Sequence, residues 1–450
     1  MRNIQDKKIT ILGAVRSGLG AAKLAKRLGA IPFVSDMGDA EKLTEAKEIL
    51  LKEGIEFEFG LHTDRVFDCD VLITSPGVPT DSNVLKEATK REIYVISEIE
   101  FSSWFCDSPI IAITGTNGKT TTTSLMNYAI NSCGLVSKVG GNIGNAFSEF
   151  ADFTTKDEFS VLEISSFQLD FIDTFKPKYS VLINITPDHL DRYENSFDKY
   201  ALSKFLICKN QDENDYFIIN RDDEKIKEYE NRNSRVNKIY FSIKQKVKNG
   251  AYSISDKIYF SKSGISEEVC SVSDLSLKGE HNLYNALAVV SVLKLMGIEN
   301  EKIKESLNTF PGVEHRLEFV REIKGVKYIN DSKATNVDAV WYALRSFNNP
   351  IYLILGGKDK GNDYNQIKLP VQNNVKKIYA IGSSANKVYN YFNEIVPTEI
   401  KKDLEDCLVS AEKEAENGDI VLLSPACASF DMFNNYEHRG QVFKNIVKKL

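Results

Sequence analysis

Residues Ile110–Thr123 read IIAITGTNGKTTTT: an apolar run, a glycine-rich turn, then a Lys-Thr pair opening a helix. Ile110 to Ile113 can form a buried strand. Gly115 and Gly118 let the backbone fold tightly, so that successive N–H groups point inward at phosphate oxygens. Lys119 supplies a point charge for the outer phosphates, and the Thr120 hydroxyl is placed to ligate Mg²⁺. The cradle runs from Gly115, Thr116 and Asn117 through Gly118, Lys119 and Thr120 to Thr121. A Walker loop would carry glycine five places before Gly118; Ile113 stands there, so this is a shortened form. The plain alternative is a strand-to-helix turn without a ligand, and the Lys-Thr pair argues against it.

A chain of 450 residues exceeds one core and predicts roughly two to four domains. With 42% hydrophobic and 27% charged residues it falls among ordinary soluble globular chains. No apolar stretch approaches a membrane span, and Met1–Lys8 does not resemble a signal peptide. The net charge of -6, with no basic tail, argues against nucleic-acid binding. Seven scattered cysteines without a CxxC pair predict reduced thiols and a cytoplasmic protein.

Around the glycine turn the chain repeats a strand–helix rhythm. Strands are expected at Ile9–Leu12, Ile31–Ser35, Val71–Ser75 and Ile93–Ile96, a helix at Gly18–Leu28, and an approach to the next unit at Ser97–Asp107. The central unit continues through Ser160–Ile164 and Ser180–Ile183. Residues 239–277, polar and β-branched, predict antiparallel strands, and Gly279–Met296 a helix. A third series follows Pro311-Gly312, with strands at Val326–Asn330, Ile351–Leu355, Lys377–Ile381 and Ile420–Leu423. The fold class expected is α/β with three domains. These are a Rossmann-like N-terminal unit (1–97), a central P-loop-type ATPase domain with a parallel sheet plus a small antiparallel sheet (98–311), and a C-terminal Rossmann-like unit (312–450).

Strand ends carry the chemistry. Glu163 closes VLEI, where an unpaired carboxylate would be costly to bury, and with Thr120 it offers hard oxygen ligands to Mg²⁺. His189, in TPDHLDR, is either a third ligand or a helix-start residue beside Asp188. Arg316 either stabilises charge on a transferring phosphoryl group or is an ordinary surface arginine. Three donor-rich loops, 330–336, 356–361 and 424–429, lie at strand ends of the third unit and suit a small anion. In the first unit GAVRSG lacks GxGxxG spacing, so a nicotinamide site is weakly supported; nucleotide binding remains reasonable, with Asp36 bonding a ribose or base.

Taken in order, GAVRSG, SPG, TGTNGKTTTT, GGNIG, LEISSFQLD, NITPDHLDRY, HNLYNALA, HRLEF, NDSKATN, GGKDKG and SPACASFDMF resemble the Mur ligase family along the whole chain. SSFQL, DHLDRY, NDSKATN and SPACAS point to its D-glutamate-adding branch, and the DNPR segment of the diaminopimelate- or lysine-adding branches is absent. The resemblance implies an ATP-dependent amide ligase acting on UDP-N-acetylmuramoyl-L-alanine and D-glutamate through an acyl phosphate, with the third domain closing over the second. It implies ATP phosphates and two Mg²⁺ at Lys119, Thr120, Glu163 and His189, with Asn282, Arg316 and Asp331 contacting ATP at the junction of the second and third units. Lys204, in YALSKFLI, matches a lysine carbamylated by CO₂, although by sequence alone it is a solvated helix residue. Arg16, Ser17, Asp36 and Ser75 match the grip on the UDP moiety, and Asn142 meets the muramoyl part. Lys333, Thr335, Lys360, Ser429 and Tyr436 would receive D-glutamate. Phe430 and Tyr436 depart from the common Leu and Phe. His189 either assists amine deprotonation or serves metal or substrate positioning. A monomer without nucleic-acid or membrane partners is expected. The rivals are a folylpolyglutamate-type ligase, a non-catalytic ATP-binding switch and a Rossmann dehydrogenase.

Overall fold

A computed structural model describes residues 2–359 and 361–450. Packing divides them into two units, one running to Leu275 and including Tyr284–Phe310, the other Ser276–Leu283 with Pro311–Leu450.

The first unit holds two sheets. Strands β1 (Lys8–Leu12), β2 (Ile31–Asp36), β3 (Glu56–Phe59), β4 (Val71–Thr74) and β5 (Val95–Ser97) pair in parallel in the order β3-β2-β1-β4-β5. Alternate residues face opposite ways: Ile9, Ile11, Val34 and Ile73 pack on the helix Arg16–Arg27 through Ala21 and Ala25, whereas Leu12, Phe33 and Leu72 pack on Val84 and Leu85. The order reverses between β1 and β4, which opens a crevice at their carboxyl ends.

The second sheet contains β6 (Ile110–Thr114), β7 (Val136–Gly141), β8 (Glu158–Glu163), β9 (Tyr179–Leu182), β10 (Tyr216–Asn220), β11 (Asn237–Ser242), β12 (Gly250–Ile254), β13 (Lys257–Lys262) and β14 (Ile265–Ser271), ordered β14-β13-β12-β11-β10-β9-β6-β8-β7. All five residues of β6 are buried, as a strand covered on both faces requires. The antiparallel pairs expected within 239–277 are β12–β13 and β13–β14, and they prolong this sheet rather than build a separate one. Ser97–Asp107 is more than an approach, because Glu98–Ser103 is a helix capped by Ser97. Buried Glu100 holds it by accepting the N–H groups of Asp173 (2.9 Å), Thr174 (3.0 Å) and Phe175 (2.7 Å).

The second unit is built on β15 (Glu318–Ile323), β16 (Val326–Asn330), β17 (Ile351–Gly356), β18 (Val375–Ile381), β19 (Thr398–Ile400) and β20 (Ile420–Leu423), ordered β15-β16-β20-β17-β18-β19. Only β15 pairs antiparallel. Helices cover both faces: Val337–Arg345 and Ala385–Phe392 lie over Leu353 and Leu355, and Leu404–Glu414 and Tyr436–Val447 over Tyr352 and Ile354. Among the described residues all seven cysteines are free, and no helix is long and apolar enough to cross a membrane.

Candidate active site

At the switch point of the first sheet lies a cavity of about 830 Å³, lined by Gly13, Arg16, Ser17, Asp36, His62 and Ser75 among others, and by Asn142 from the end of β7. Gly13 has φ 97°, and a Cβ there would meet Ser75 Oγ at 2.8 Å, so only glycine lets the two loops approach. The Asp36 carboxylate is engaged with the loops themselves: Oδ2 accepts the Ala14 N–H and Oδ1 the Gly38 N–H, each at 2.6 Å.

The glycine turn expected to cradle phosphate leaves β6 with Gly115 at φ 157° and enters helix Lys119–Ser132 through Gly118 at φ 83°. Asn184, which follows β9, fixes its shape. Its side-chain oxygen accepts the N–H groups of Thr116 (3.1 Å) and Asn117 (2.9 Å), and its amide donates to Asn117 O (3.1 Å). Thr116 Oγ1 exchanges two 3.0 Å bonds with the Thr186 backbone. The Lys119 ammonium donates to Gly115 O (2.8 Å) and Thr116 O (2.7 Å), so its charge sits within the turn.

Thr120 and Glu163 meet as the strand-end reading expects. The Thr120 hydroxyl donates to Glu163 Oε2 at 2.7 Å, and Asn142 Nδ2 donates to Oε1 at 2.9 Å. Glu163 and Thr120 are both buried. Oxygen donors on a carboxylate, a hydroxyl and an amide suit a hard divalent cation. His189, at φ 51°, precedes the short turn Leu190–Tyr193; Asp188 Oδ1 accepts its backbone N–H at 2.9 Å, and its ring stands edge-on to Phe167. Arg192 stacks over Phe167 and donates to Pro76 O at 2.7 Å, tying the 184–193 loop to the cavity's SPG turn.

Lys204 is not a solvated helix residue. Helix Phe197–Phe205 turns it inward to 1% exposure, where Nζ donates to Gly115 O at 2.9 Å over the Tyr200 ring. Burial, and then the Lys119 charge, push its amine well below the usual lysine range, which favours the neutral form.

In the second unit Arg316 is no ordinary surface arginine. It lies 3.7 Å from Asp331, which burial raises to about 6 although Arg316 pulls the other way. Asp331 also accepts the Ser424 hydroxyl at 2.9 Å and the Leu317 N–H at 3.2 Å. Asn282 belongs to the same unit and donates to Lys278 O. Neighbouring His281 is held neutral, pushed down to about 4 by burial and then by Arg316. Lys333 Nζ donates to the Tyr436 hydroxyl at 3.1 Å. Ser429 is buried and its carbonyl accepts the Phe433 N–H; Thr335 is half-buried in the loop before helix Val337–Arg345; Phe430 is 68% exposed. Lys360 lies outside the described residues. Buried Arg439, which no motif marks, clamps two of the loops by donating to Ser332 Oγ (2.9 Å), Ser332 O (2.7 Å) and Cys427 O (3.1 Å).

Three family profiles match the chain in order: the MurD N-terminal domain over 9–84, the Mur ligase middle domain over 113–293, and the Mur ligase glutamate ligase domain over 315–427. The chain belongs to the Mur ligase family. It is 44% identical to the UDP-N-acetylmuramoylalanine–D-glutamate ligase of Salinibacter ruber, covering 99% of each chain. To the Christiangramia forsetii protein of the same name it is 45% identical, over 99% of this chain and 100% of that one. Among solved structures, UDP-N-acetylmuramate-alanine ligase MurC from Thermotoga maritima superposes with a TM-score of 0.61 at 19% identity, over 98% and 99% of the two chains; that likeness concerns fold. In this Mur ligase, Asn184 stands in sequence only as the first letter of NITPDHLDRY, and His62 in no motif. Their contacts are made across the sheet between residues distant along the chain, so spacing carries no sign of them.

Proposed function

We propose that this Mur ligase couples ATP cleavage to amide bond formation between UDP-N-acetylmuramoyl-L-alanine and D-glutamate, a cytoplasmic step of peptidoglycan precursor synthesis, working with domains 1–97, 98–311 and 312–450. The observation that carries the chemistry is the hydrogen-bonded chain Asn142–Glu163–Thr120. Asn142 lines the nucleotide-fold cavity and Thr120 opens the helix of the phosphate loop, so an acid lodged in the first reaches a triphosphate held by the second. The named substrates rest on the full-length likeness to the two D-glutamate ligases.

In this reading Arg16, Ser17, Asp36 and Ser75 grip the uridine diphosphate, and Asn142 orients the muramoyl end. A carboxylate oxygen of the acceptor forms a bond to the γ-phosphorus as the bond to the β–γ bridging oxygen breaks, leaving ADP and an acyl phosphate. Lys119 and the backbone N–H groups of 115–120 neutralise the oxygens over which charge spreads, with Arg316, Asn282 and Asp331 serving the nucleotide. Thr120, Glu163 and His189 would hold Mg²⁺, which supplies Lewis-acid neutralisation of phosphate oxygens when bound. Lys204 supports a further ligand: a neutral, desolvated amine is the form that adds to CO₂, losing a proton to give a carbamate, and this turns a buried cation-former into an anion beside the phosphate loop. Lys333, Thr335, Lys360, Ser429 and Tyr436 present D-glutamate. Its amine then attacks the acyl carbon, the tetrahedral intermediate expels phosphate, and the ammonium proton leaves to His189 or solvent. Water must be kept from the acyl phosphate, which hydrolyses readily.

Phosphate release measured with each component omitted tests this. Release is expected only with ATP, the UDP-linked acceptor and D-glutamate together, and Lys119→Ala is expected to abolish it. Release with folate and L-glutamate would favour the folylpolyglutamate-type reading, ATP binding without release a switch, and near-normal turnover in Lys119→Ala would overturn the cradle assignment.

A further inference from the structure

One wall of the nucleotide cavity carries a proton chain that the reaction above does not use. His62 lines the cavity, and its Nδ1 lies 2.6 Å from Ser35 Oγ. Ser35, on β2, is fully buried, and its hydroxyl donates to Glu58 Oε1 at 2.7 Å. Glu58 also accepts the Thr63 N–H at 3.0 Å and the Thr63 hydroxyl at 2.6 Å. A carboxylate surrounded by donors has no proton to give, and a hydroxyl has only one. Ser35 therefore spends its proton on Glu58 and accepts from His62, so Nδ1 is the protonated ring nitrogen. Nε2, on the side of the ring away from Ser35, is left as a lone-pair acceptor with no hydrogen-bond partner among the described residues. Burial moves the ring below its usual 6.5, against the pull of Glu58 and Asp36, so the neutral tautomer persists at neutral pH.

Place on the sheet says which part of a nucleotide meets that acceptor. The Gly13 turn, the start of helix Arg16–Arg27 and Ser75 mark the switch point at β1 and β4, where phosphates sit in such folds. Asp36 closes β2, the ribose position of a nucleotide fold. His62 follows β3, one strand further out from the phosphate end than the ribose position, so the heterocycle is the part of a nucleotide that would extend towards it. We propose that His62 reads the base: its Nε2 accepts the imide N3–H of uracil and rejects cytosine, whose N3 is itself an acceptor. This is a specificity-determining contact, and it rests on the uridine-nucleotide reading above.

Calorimetric binding of uridine, cytidine and 2′-deoxyuridine diphosphates to the full chain tests it. Wild type is expected to prefer the uridine over the cytidine form by about tenfold or more, and His62→Ala to bind uridine diphosphate more weakly with that preference cut to about twofold. The relative affinity for the 2′-deoxy form is expected to be the same in both proteins. Lowering the pH from about 7.5 to well below the ordinary imidazole value of 6.5 should erode the preference in wild type as the ring gains its second proton and Nε2 becomes a donor, and leave the ratio in His62→Ala unmoved. The variant controls for Glu58, Asp36 and the cavity's Arg16, which are present in both proteins. If wild type binds uridine diphosphate and either shows no base preference or passes it undiminished to His62→Ala, the inference falls and the proposed function stands. If the substitution instead alters discrimination against the 2′-deoxy form, His62 faces the ribose and base reading is refuted. A wild type that binds no uridine diphosphate refutes both.

Discussion

Asn184→Ala removes the side chain that braces the phosphate loop, and its cost follows from the bonding. Three side-chain hydrogen bonds join Asn184 to the loop. The Thr116 N–H retains a second acceptor, the Asn184 carbonyl at 3.0 Å, which alanine keeps. The Asn117 N–H and C=O each lose the bond that Asn184 makes to them. At about 1 kcal/mol each, the ordered loop becomes about 2 kcal/mol harder to reach, an expected loss of about 30-fold in affinity for ATP. The defect should appear in binding, with kcat at saturating ATP nearly retained, because Lys119, Thr120 and Glu163 are untouched. Asn184→Asp keeps an acceptor for the two N–H groups but sets a carboxylate oxygen against Asn117 O and adds negative charge near the phosphates. It should therefore bind nucleotide no better than alanine. Calorimetry with a non-hydrolysable ATP analogue, beside phosphate-release kinetics, separates the two effects. Nucleotide affinity within about threefold of wild type, or a loss confined to kcat, would refute the bracing role.

Further outcomes follow for other groups. Incubation with ¹³C-bicarbonate should give a carbamate carbon signal that disappears in Lys204→Arg, and an identical signal in both proteins would remove Lys204 as the modified amine. Asp331 has a folded-state pKa of about 6 against 3.8, so its ionised form is disfavoured by folding. It therefore subtracts from stability above pH 6, and the subtraction fades as pH falls from 6 towards 3.8. Asp331→Asn should accordingly raise the unfolding free energy in urea at pH 7.5 by up to about 3 kcal/mol, with little gain near pH 4 and with reduced ligase activity. A variant less stable than wild type at pH 7.5 would contradict this. Arg439→Lys keeps the charge but not the fork that spans Ser332 and Cys427. It should raise the KM for D-glutamate by about tenfold while the KM for ATP changes by less than about twofold; equal effects on both, or none, would show that the clamp does not shape the amino-acid loops.

Legibility in sequence followed the polarity pattern of each strand more than its position in the sheet. Interior strands such as β6, β17 and β20 are continuous apolar runs between turn residues, and they lie where the pattern puts them. Edge strands β3, β7, β15 and β19 are mixed in polarity, because one side meets solvent, and escaped the pattern, whereas edge strands β5 and β14 overlap stretches expected as strands. β10 is apolar and interior, and its signal was present at Tyr216–Asn220.

Local chemistry settled what the chain alone could settle. A turn that needs positive φ at Gly118 and a Lys-Thr pair at the start of a helix are properties of consecutive residues, so the glycine turn, its helix and the ordered motifs that mark the family are written in the order of the letters. Burial and partnership depend instead on what another strand brings alongside. Only the folded chain turned Lys204 from a nominal surface cation into a desolvated amine, engaged both oxygens of Asp36 with loop N–H groups, and set Glu58, Ser35 and His62 in one line. The physical reason is that the cost of desolvation and the direction of a shared proton are fixed by neighbours in space, and neighbours in space are not neighbours along the chain.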